Sequence, residues 1–300
     1  MKKDFHCKYS ILDTDVICEH KFARIDFPFT SALHNHDGYE ILLFLGGTVE
    51  FHTESERKKL ERGDLIFIRP YSFHGIGLTD IDSYERIVIN VREDYLRRIS
   101  LQDTDLSSCF FRTPAGNLNL IQLSESSIAE FLHITEKVEN NTLHKPYGYK
   151  ILETAYFSEC MVMLNQLAVS NPRLPAYTNI MPNIVAETFK YIEDNLTKNI
   201  TIGKMALQLH HNSDYLSHVF KSVTGCSLQY YIIAKRISLA QIYLREGKSP
   251  YDVCFESGFN NYSSFSRAFS RQIGCSPKQY QQEYQTRNRT TLNNDILKSF

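Results

Sequence analysis

The sequence predicts a two-domain α+β chain, with a β-structured N-terminal half followed by helices and an all-helical C-terminal half. Three observations carry this. Residues from about 10 to 93 break into short β-rich segments separated by turn formers. From about 94 onward the apolar residues recur at helical spacing. Between the halves, SNPRLPAYTNIMPN (170–183) places three prolines within fourteen positions, the composition of a linker. A chain of 300 residues has room for two ordinary domains, and an apolar share of 42% supports a core in each.

In the first half the strands are YEILLFL, TVEFHT, DLIFIRP and ERIVINV, set apart by GG, ESERKK, a Gly-Asp pair and a Gly-containing loop. Their spacing fits a sandwich or small barrel. Ser127 and Glu130 form a candidate capping box ahead of FLHITEKV. In GYKILETAYFSECMVMLNQLAV, Leu152, Tyr156, Cys160, Met163 and Leu167 make one apolar stripe, and Ile151, Ala155 and Val162 a second. Two stripes suit either a helix buried all round or one that packs on its own domain and meets a second copy through residues 150–168. The expected boundaries are 1–170 for the first domain, 171–183 for the linker, 184–284 for the helical domain and 285–300 for a polar tail.

Several function classes are set aside by composition. No run of about 18 apolar residues appears, so no membrane span is expected. MKKDFHCKYS begins with lysines but lacks the apolar core of a signal peptide. The seven cysteines are scattered, odd in number and free of any CxxC pair, which fits a reducing cytoplasm better than a disulfide framework or zinc ribbon. The net charge of −1 hides an asymmetry: from residue 184 onward there are 14 Lys+Arg against 9 Asp+Glu, whereas the preceding residues have 19 against 25. A polyanionic partner therefore suits the back half.

The back half also contains a repeat. YLSHVFKSVTGCSLQYY (215–231) lies over SFSRAFSRQIGCSPKQY (264–280) at an offset of 49, and upstream the better offset is 48. Each copy has the grammar of a helix-turn-helix. In the first, Ile202, Met205, Ala206 and Leu209 share one face of a short helix, and His210-His211-Asn212 makes the turn. Asn212 or Ser213 caps SDYLSHVFKSVT, which ends at Gly225. In the second, Val253 and Cys254 face inward, Gly258 supplies the turn, and Asn260 or Asn261 caps YSSFSRAFSRQI up to Gly274. A long amphipathic helix, SLQYYIIAKRISLAQIYLRE, joins the copies. The outward faces carry Asp214, Ser217, His218 and Lys221 in one copy, and Tyr262, Ser263, Ser264, Arg267 and Arg271 in the other. Such residues suit base edges and phosphates in a major groove.

On these residues, 184–284 resembles the DNA-binding domain of the arabinose-regulator (AraC/XylS) family of bacterial transcription factors. The matching positions are Met205-Ala206, Phe220, Gly225, Tyr231, Arg236 and Ala240, then Gly258-Phe259, Arg267, Phe269, Gly274, Pro277 and Tyr280. The departures are Cys254 for the second motif's usual Ala and His210 where the first turn often has Gly. The resemblance implies two recognition helices in successive major grooves, about 34 Å apart along one face of double-stranded DNA. Arg267 and His218 are the expected base readers, Lys221 and Arg271 the expected phosphate contacts, and Asp214 can only accept from a base such as cytosine.

The first half carries the stretch HNHDGYE (34–40). His34, His36, Glu40 and Gly47 fit the first motif of the cupin-like jelly roll that such regulators often carry as a sensor, and Gly63 and His74 hold the ends of the second motif. Arg69 and Tyr71 replace that motif's Pro and Gly. On an unbroken strand, positions 34, 36 and 40 would share a face, although Asp37-Gly38 can break that parity. Three imidazoles and a carboxylate suit zinc, iron, nickel or manganese. Three readings stay open: a catalytic metal, a structural or sensing metal, and a polar effector pocket without metal. The expectation is a regulator and not an enzyme, with no certain cofactor beyond a candidate divalent metal. Its partners would be promoter DNA, a small-molecule effector such as a carbohydrate or related metabolite, a second copy of the chain and, if it activates, RNA polymerase. The alternative is a cupin-type metalloenzyme with a helical partner-binding tail.

Overall fold

A computed structural model describes residues 15–24, 29–78, 83–114, 117–171 and 181–286. By internal contacts the chain divides into two units, 14–181 and 182 onward. Most of the expected linker and of the polar tail lies outside the described residues.

The first unit is a pair of antiparallel sheets. Its strands are β1 (Val16–Arg24), β2 (Phe29–Thr30), β3 (Tyr39–Gly46), β4 (Val49–Thr53), β5 (Arg57–Lys59), β6 (Asp64–Ile68), β7 (His74–Leu78), β8 (Ser83–Val91) and β9 (Leu120–Gln122). One sheet runs β1-β8-β3-β6-β9 and the other β2-β7-β4-β5. Side-chain alternation sends β3 into two cores. Leu42 and Phe44 meet Val49 and Phe51 between the sheets. Ile41, Leu43 and Leu45 face the opposite way, against the helices α1 (Glu93–Ile99), α2 (Glu125–His144) and α3 (Tyr149–Ser170). Both faces of β3 are therefore apolar from Ile41 to Leu45, and every residue from Tyr39 to Leu45 is buried.

Two details differ from the sequence expectation. Helix α2 starts earlier: Ser124 is its N-cap and accepts from the Ser127 amide, so Ser127 lies in the first turn. β9 lies in a region read as helical. A three-residue strand is too short to show a period, and only its antiparallel pairing with β6 defines it. In α3 the buried side is Phe157, Cys160, Met161 and Leu164, while Ile151, Ala155, Val162 and Val169 are exposed. The helix thus has an apolar outer face.

The second unit is built from α4 (Asn183–Asn195), α5 (Ile202–Gln208), α6 (Ser213–Thr224), α7 (Leu228–Arg245), α8 (Pro250–Glu256), α9 (Tyr262–Ile273) and a helix α10 over 277–286. Each half has an aromatic knot. Phe189, Phe220 and Tyr231 lie with ring centroids 5.1–5.6 Å apart. Phe265 and Phe269 lie 5.8 Å apart, and Phe269 and Tyr280 5.5 Å apart. Truncating any one of these rings would cost about 3–5 kcal/mol. The caps are as expected: Asn212 accepts from the amides of Asp214 and Tyr215, and Asn261 from Ser264. Gly225 and Gly274 close α6 and α9 at φ 72° and 93°.

The repeat is structural as well as sequential. The His211 amide donates to the Ala206 carbonyl at 2.8 Å, and 48 residues later the Phe259 amide donates to Cys254 at 3.0 Å. Between those residues the first turn has His210 at φ 57° and the second has Gly258 at φ 91°. The backbone requires the left-handed region at both positions, and the first copy supplies it without glycine.

Candidate functional site

In the first unit the four predicted residues come together, but not on one strand. His34 and His36 precede β3, residues 37 and 38 form a bend, and Glu40 is the second residue of β3. A backbone bridge joins His34 to His74, each amide donating to the other's carbonyl at 3.0 Å. The His34 and His74 ring centroids lie 4.4 Å apart, and those of His36 and His74 5.2 Å apart.

Ring orientation follows from the loops. His34 Nδ1 faces the Ala32 carbonyl at 3.3 Å, His36 Nδ1 the Gly38 carbonyl at 2.9 Å, and His74 Nδ1 the Ser72 carbonyl at 3.0 Å. A carbonyl can only accept, so each Nδ1 holds a proton and each Nε2 points the other way. Tyr71, in the left-handed region at φ 63°, helps to set this loop, and its amide donates to the His36 carbonyl at 2.7 Å. The cupin pattern's glycine is missing from this position, yet the backbone conformation that calls for glycine is kept.

His36, Glu40 and His74 are all buried, and one ligand-capable atom from each lies within 4.8 Å of the others. His36 Nε2 is 2.8 Å from Glu40 Oε2. Burial opposes charge on both groups, but this contact outweighs it: the His36 imidazole is raised and the Glu40 carboxyl is held down at about 2. His74 is different. Burial, with His34 beside it, pushes its imidazole down to about 3, and its buried Nε2 has no hydrogen-bond partner. Burial also lowers His34, which stands beside the cluster of three. A small cavity of about 20 Å³ is lined by His74, Phe51, Thr53, Ile68 and Ser72 among others. Two imidazoles and one carboxylate in a dry setting can hold a cation or a small polar group.

In the second unit Asp214, His218 and Lys221 are exposed on α6, whereas Ser217 is half-buried and its hydroxyl donates to the Ser213 carbonyl at 2.8 Å. On α9, Tyr262, Ser263, Ser264, Arg267 and Arg271 are all exposed. Tyr262 also packs on Phe265 and Tyr251, at 5.9 and 6.2 Å between ring centroids. Sequence reasoning missed Tyr215, which is 55% exposed on the same side of α6 as His218. Its spacing of three residues from His218 was the available signal. Arg236 ties the linker helix α7 to the segment between α4 and α5: Nε donates to the Leu196 carbonyl at 2.9 Å and Nη2 to the Lys198 carbonyl at 2.7 Å.

Comparison with known proteins follows these two units. Residues 22–143 match the family model described as an AraC-like ligand binding domain, and residues 205–283 match a helix-turn-helix domain. The HTH-type transcriptional regulator YobQ of Bacillus subtilis is 27% identical over 269 residues, covering 89% of this chain and 93% of its own. The virulence regulon transcriptional activator VirF of Yersinia enterocolitica is 23% identical over 82% of this chain and 89% of its own. The regulatory protein SoxS of Escherichia coli is 29% identical over 98 residues, 32% of this chain and 92% of its own.

Proposed function

This chain belongs to the AraC family of transcription regulators with a ligand-binding N-terminal domain, and from that premise we propose which of its residues read DNA and which receive the signal. The observation that carries the reading is the duplicated helix-turn-helix, whose two capped helices expose donors on one side and bury phenylalanines on the other. α6 and α9 enter successive major grooves about 34 Å apart. Arg267 and His218 address base edges, Tyr262, Ser263 and Ser264 sit at the entry of the second groove, and Lys221 and Arg271 contact phosphates. Asp214 can only accept, so it favours cytosine over any phosphate contact. Ser217 is a weaker candidate because its hydroxyl already has a backbone acceptor.

The site of effector reception is the cluster formed by His34, His36, Glu40 and His74, inside the unit of 14–181. Residues 184–284 form the DNA-binding domain, and 171–183 link the two. The exposed apolar face of α3, with Ile151, Ala155, Val162 and Val169, suits a second copy of the chain. No helix among the described residues is long and apolar enough to cross a membrane; a DNA-binding output favours the cytoplasm. RNA polymerase is a further partner if the protein activates. The family relatives are regulators, which favours a non-enzymatic role over the alternative of a cupin-type metalloenzyme with a helical tail.

The test is a gel shift of the full chain on fragments of its source genome at two salt concentrations. Sequence-selective complexes that weaken steeply with salt are expected. Absence of any selective shift would overturn the reading.

A further inference from the structure

We propose that Tyr251 and Tyr262 form an aromatic shelf that packs against the 5-methyl group of a thymine in the major groove entered by α9. The second motif would then select that thymine by apolar contact. The inference rests on the DNA-reading role given to α9 above, and adds to it a residue of α8 and a base preference.

The exposed rings of the second motif lie in one place. Tyr251 is 62% exposed, Phe255 45% and Tyr262 37%. Apolar residues scattered singly over a surface are ordinary, but these three form one group around Tyr251. Its ring centroid is 5.1 Å from that of Phe255 and 6.2 Å from that of Tyr262, and the two tyrosine rings are inclined by only 30°. A contiguous patch of this kind marks a surface that meets a partner.

Position in the fold names the partner. Tyr262 is the first residue of α9, next to the cap Asn261, and the exposed Ser263, Ser264 and Arg267 follow it. Tyr251 is the second residue of α8. In a helix-turn-helix the first helix crosses the DNA backbone, and the N-terminal residues of the second meet base edges. The tyrosine pair therefore stands where α9 enters the groove, continuous with the reading face. The charged residues of α8 are Asp252 and Glu256, both acidic. What α8 can offer DNA is thus a ring and not a cation.

The shelf is held ready for this contact. Tyr262 packs on Phe265 at 5.9 Å, and Phe265 is buried between Phe259 and Phe269, at 5.2 and 5.8 Å. A ring braced in this way loses little freedom on binding. Thymine is the base whose major-groove edge carries a methyl group, and apolar side chains recognise it by touching that group. The first motif has no equivalent pair. At the offsets of 48 and 49 that relate the copies, Gly203 and Ser213 stand in the places of Tyr251 and Tyr262.

The test uses the full chain and a duplex that it selects from a random pool. Each thymine is replaced in turn by deoxyuridine, which removes only the methyl group, and affinities are read by fluorescence anisotropy. At one or more thymines the wild type should bind about fourfold more weakly, the effect of one buried methyl group. The double variant Tyr251→Ala/Tyr262→Ala should bind the thymine and deoxyuridine duplexes equally at such a position. Tyr251→Ala alone should shrink the difference, and Tyr251→Phe, which keeps the ring, should preserve it. Circular dichroism shows that the variants fold. A selected site without a methyl-sensitive thymine would overturn the proposal. So would an effect that persists unchanged in the folded Tyr251→Ala or double variant, which would leave the patch to a protein partner. Failure of the wild type to select any sequence would instead overturn the regulator reading itself.

Discussion

A Cβ placed on Gly258 would lie 2.9 Å from Nε of Arg236 and 2.7 Å from the Leu196 carbonyl which that guanidinium binds. The turn of the second helix-turn-helix thus sits in a cradle made by the linker helix and the segment between α4 and α5. Glycine is required here twice, by φ 91° and by the close approach of backbone.

Gly258→Ala should therefore destabilise the helical domain by about 2–3 kcal/mol, combining left-handed strain with a contact that only a backbone shift can relieve. His210→Gly at the equivalent first turn should change stability by less than about 1 kcal/mol, because the relief of strain offsets the greater freedom of the unfolded chain. Urea unfolding followed by circular dichroism measures both. An equal loss in the two variants would contradict the distinct packing of the two turns.

Arg267→Ala should cost about 1–3 kcal/mol on the preferred DNA sequence and little on random DNA, relaxing specificity. Arg271→Ala should weaken both alike and reduce the slope of log affinity against log salt by about one. Fluorescence anisotropy over a salt series separates the two. Equal loss on specific and random DNA for Arg267→Ala would remove it from the base readers.

Asn261→Ala should destabilise the domain by about 1 kcal/mol, since its side chain caps α9 by accepting from the Ser264 amide. Asn212→Ala should cost a similar amount through the Asp214 and Tyr215 amides. Replacement by Asp, which keeps the acceptor, should restore most of the loss in thermal unfolding.

His52 gives the first unit an acid sensitivity. Burial, reinforced by Arg57 and His34, pushes its imidazole down to about 3, against about 6.5 in an unfolded chain. Between those values the unfolded state holds the extra proton, so stability falls as pH falls from about 6.5 toward 3, by up to about 1.4 kcal/mol per unit. His52→Phe removes this proton from the balance. Between pH 7 and pH 5 it should gain about 2 kcal/mol relative to the wild type in urea unfolding; an unchanged difference would show that His52 charges freely in the folded protein.

The helical domain was legible in the sequence because its signals are local. Caps at Asn212 and Asn261, stops at Gly225 and Gly274, and apolar spacing around Phe220 and Phe269 each act within a turn or two of chain, and the repeat states them twice. The strands around Leu42 and Ile66 were legible for the same reason. β9 was not, since three residues gain their identity only from pairing with β6.

The histidine–glutamate cluster divides along the same line. Residue types and spacing in HNHDGYE were enough to name His34, His36, Glu40 and His74 as one group. Which three converge was decided by the tertiary structure, through the bridge from His34 to His74 and the bend at Asp37-Gly38 that sets the histidines off the strand. Tyr71 and His210 show the limit most plainly. Each departs from a glycine pattern in sequence, yet each holds the left-handed backbone that the pattern encodes. Sequence by itself determined two helix-turn-helix motifs and a histidine-rich cluster, because helix caps, periodicity and short motifs are written locally. Tertiary structure alone decided which lone pairs meet in the interior, because that depends on loops and sheets drawn from distant parts of the chain.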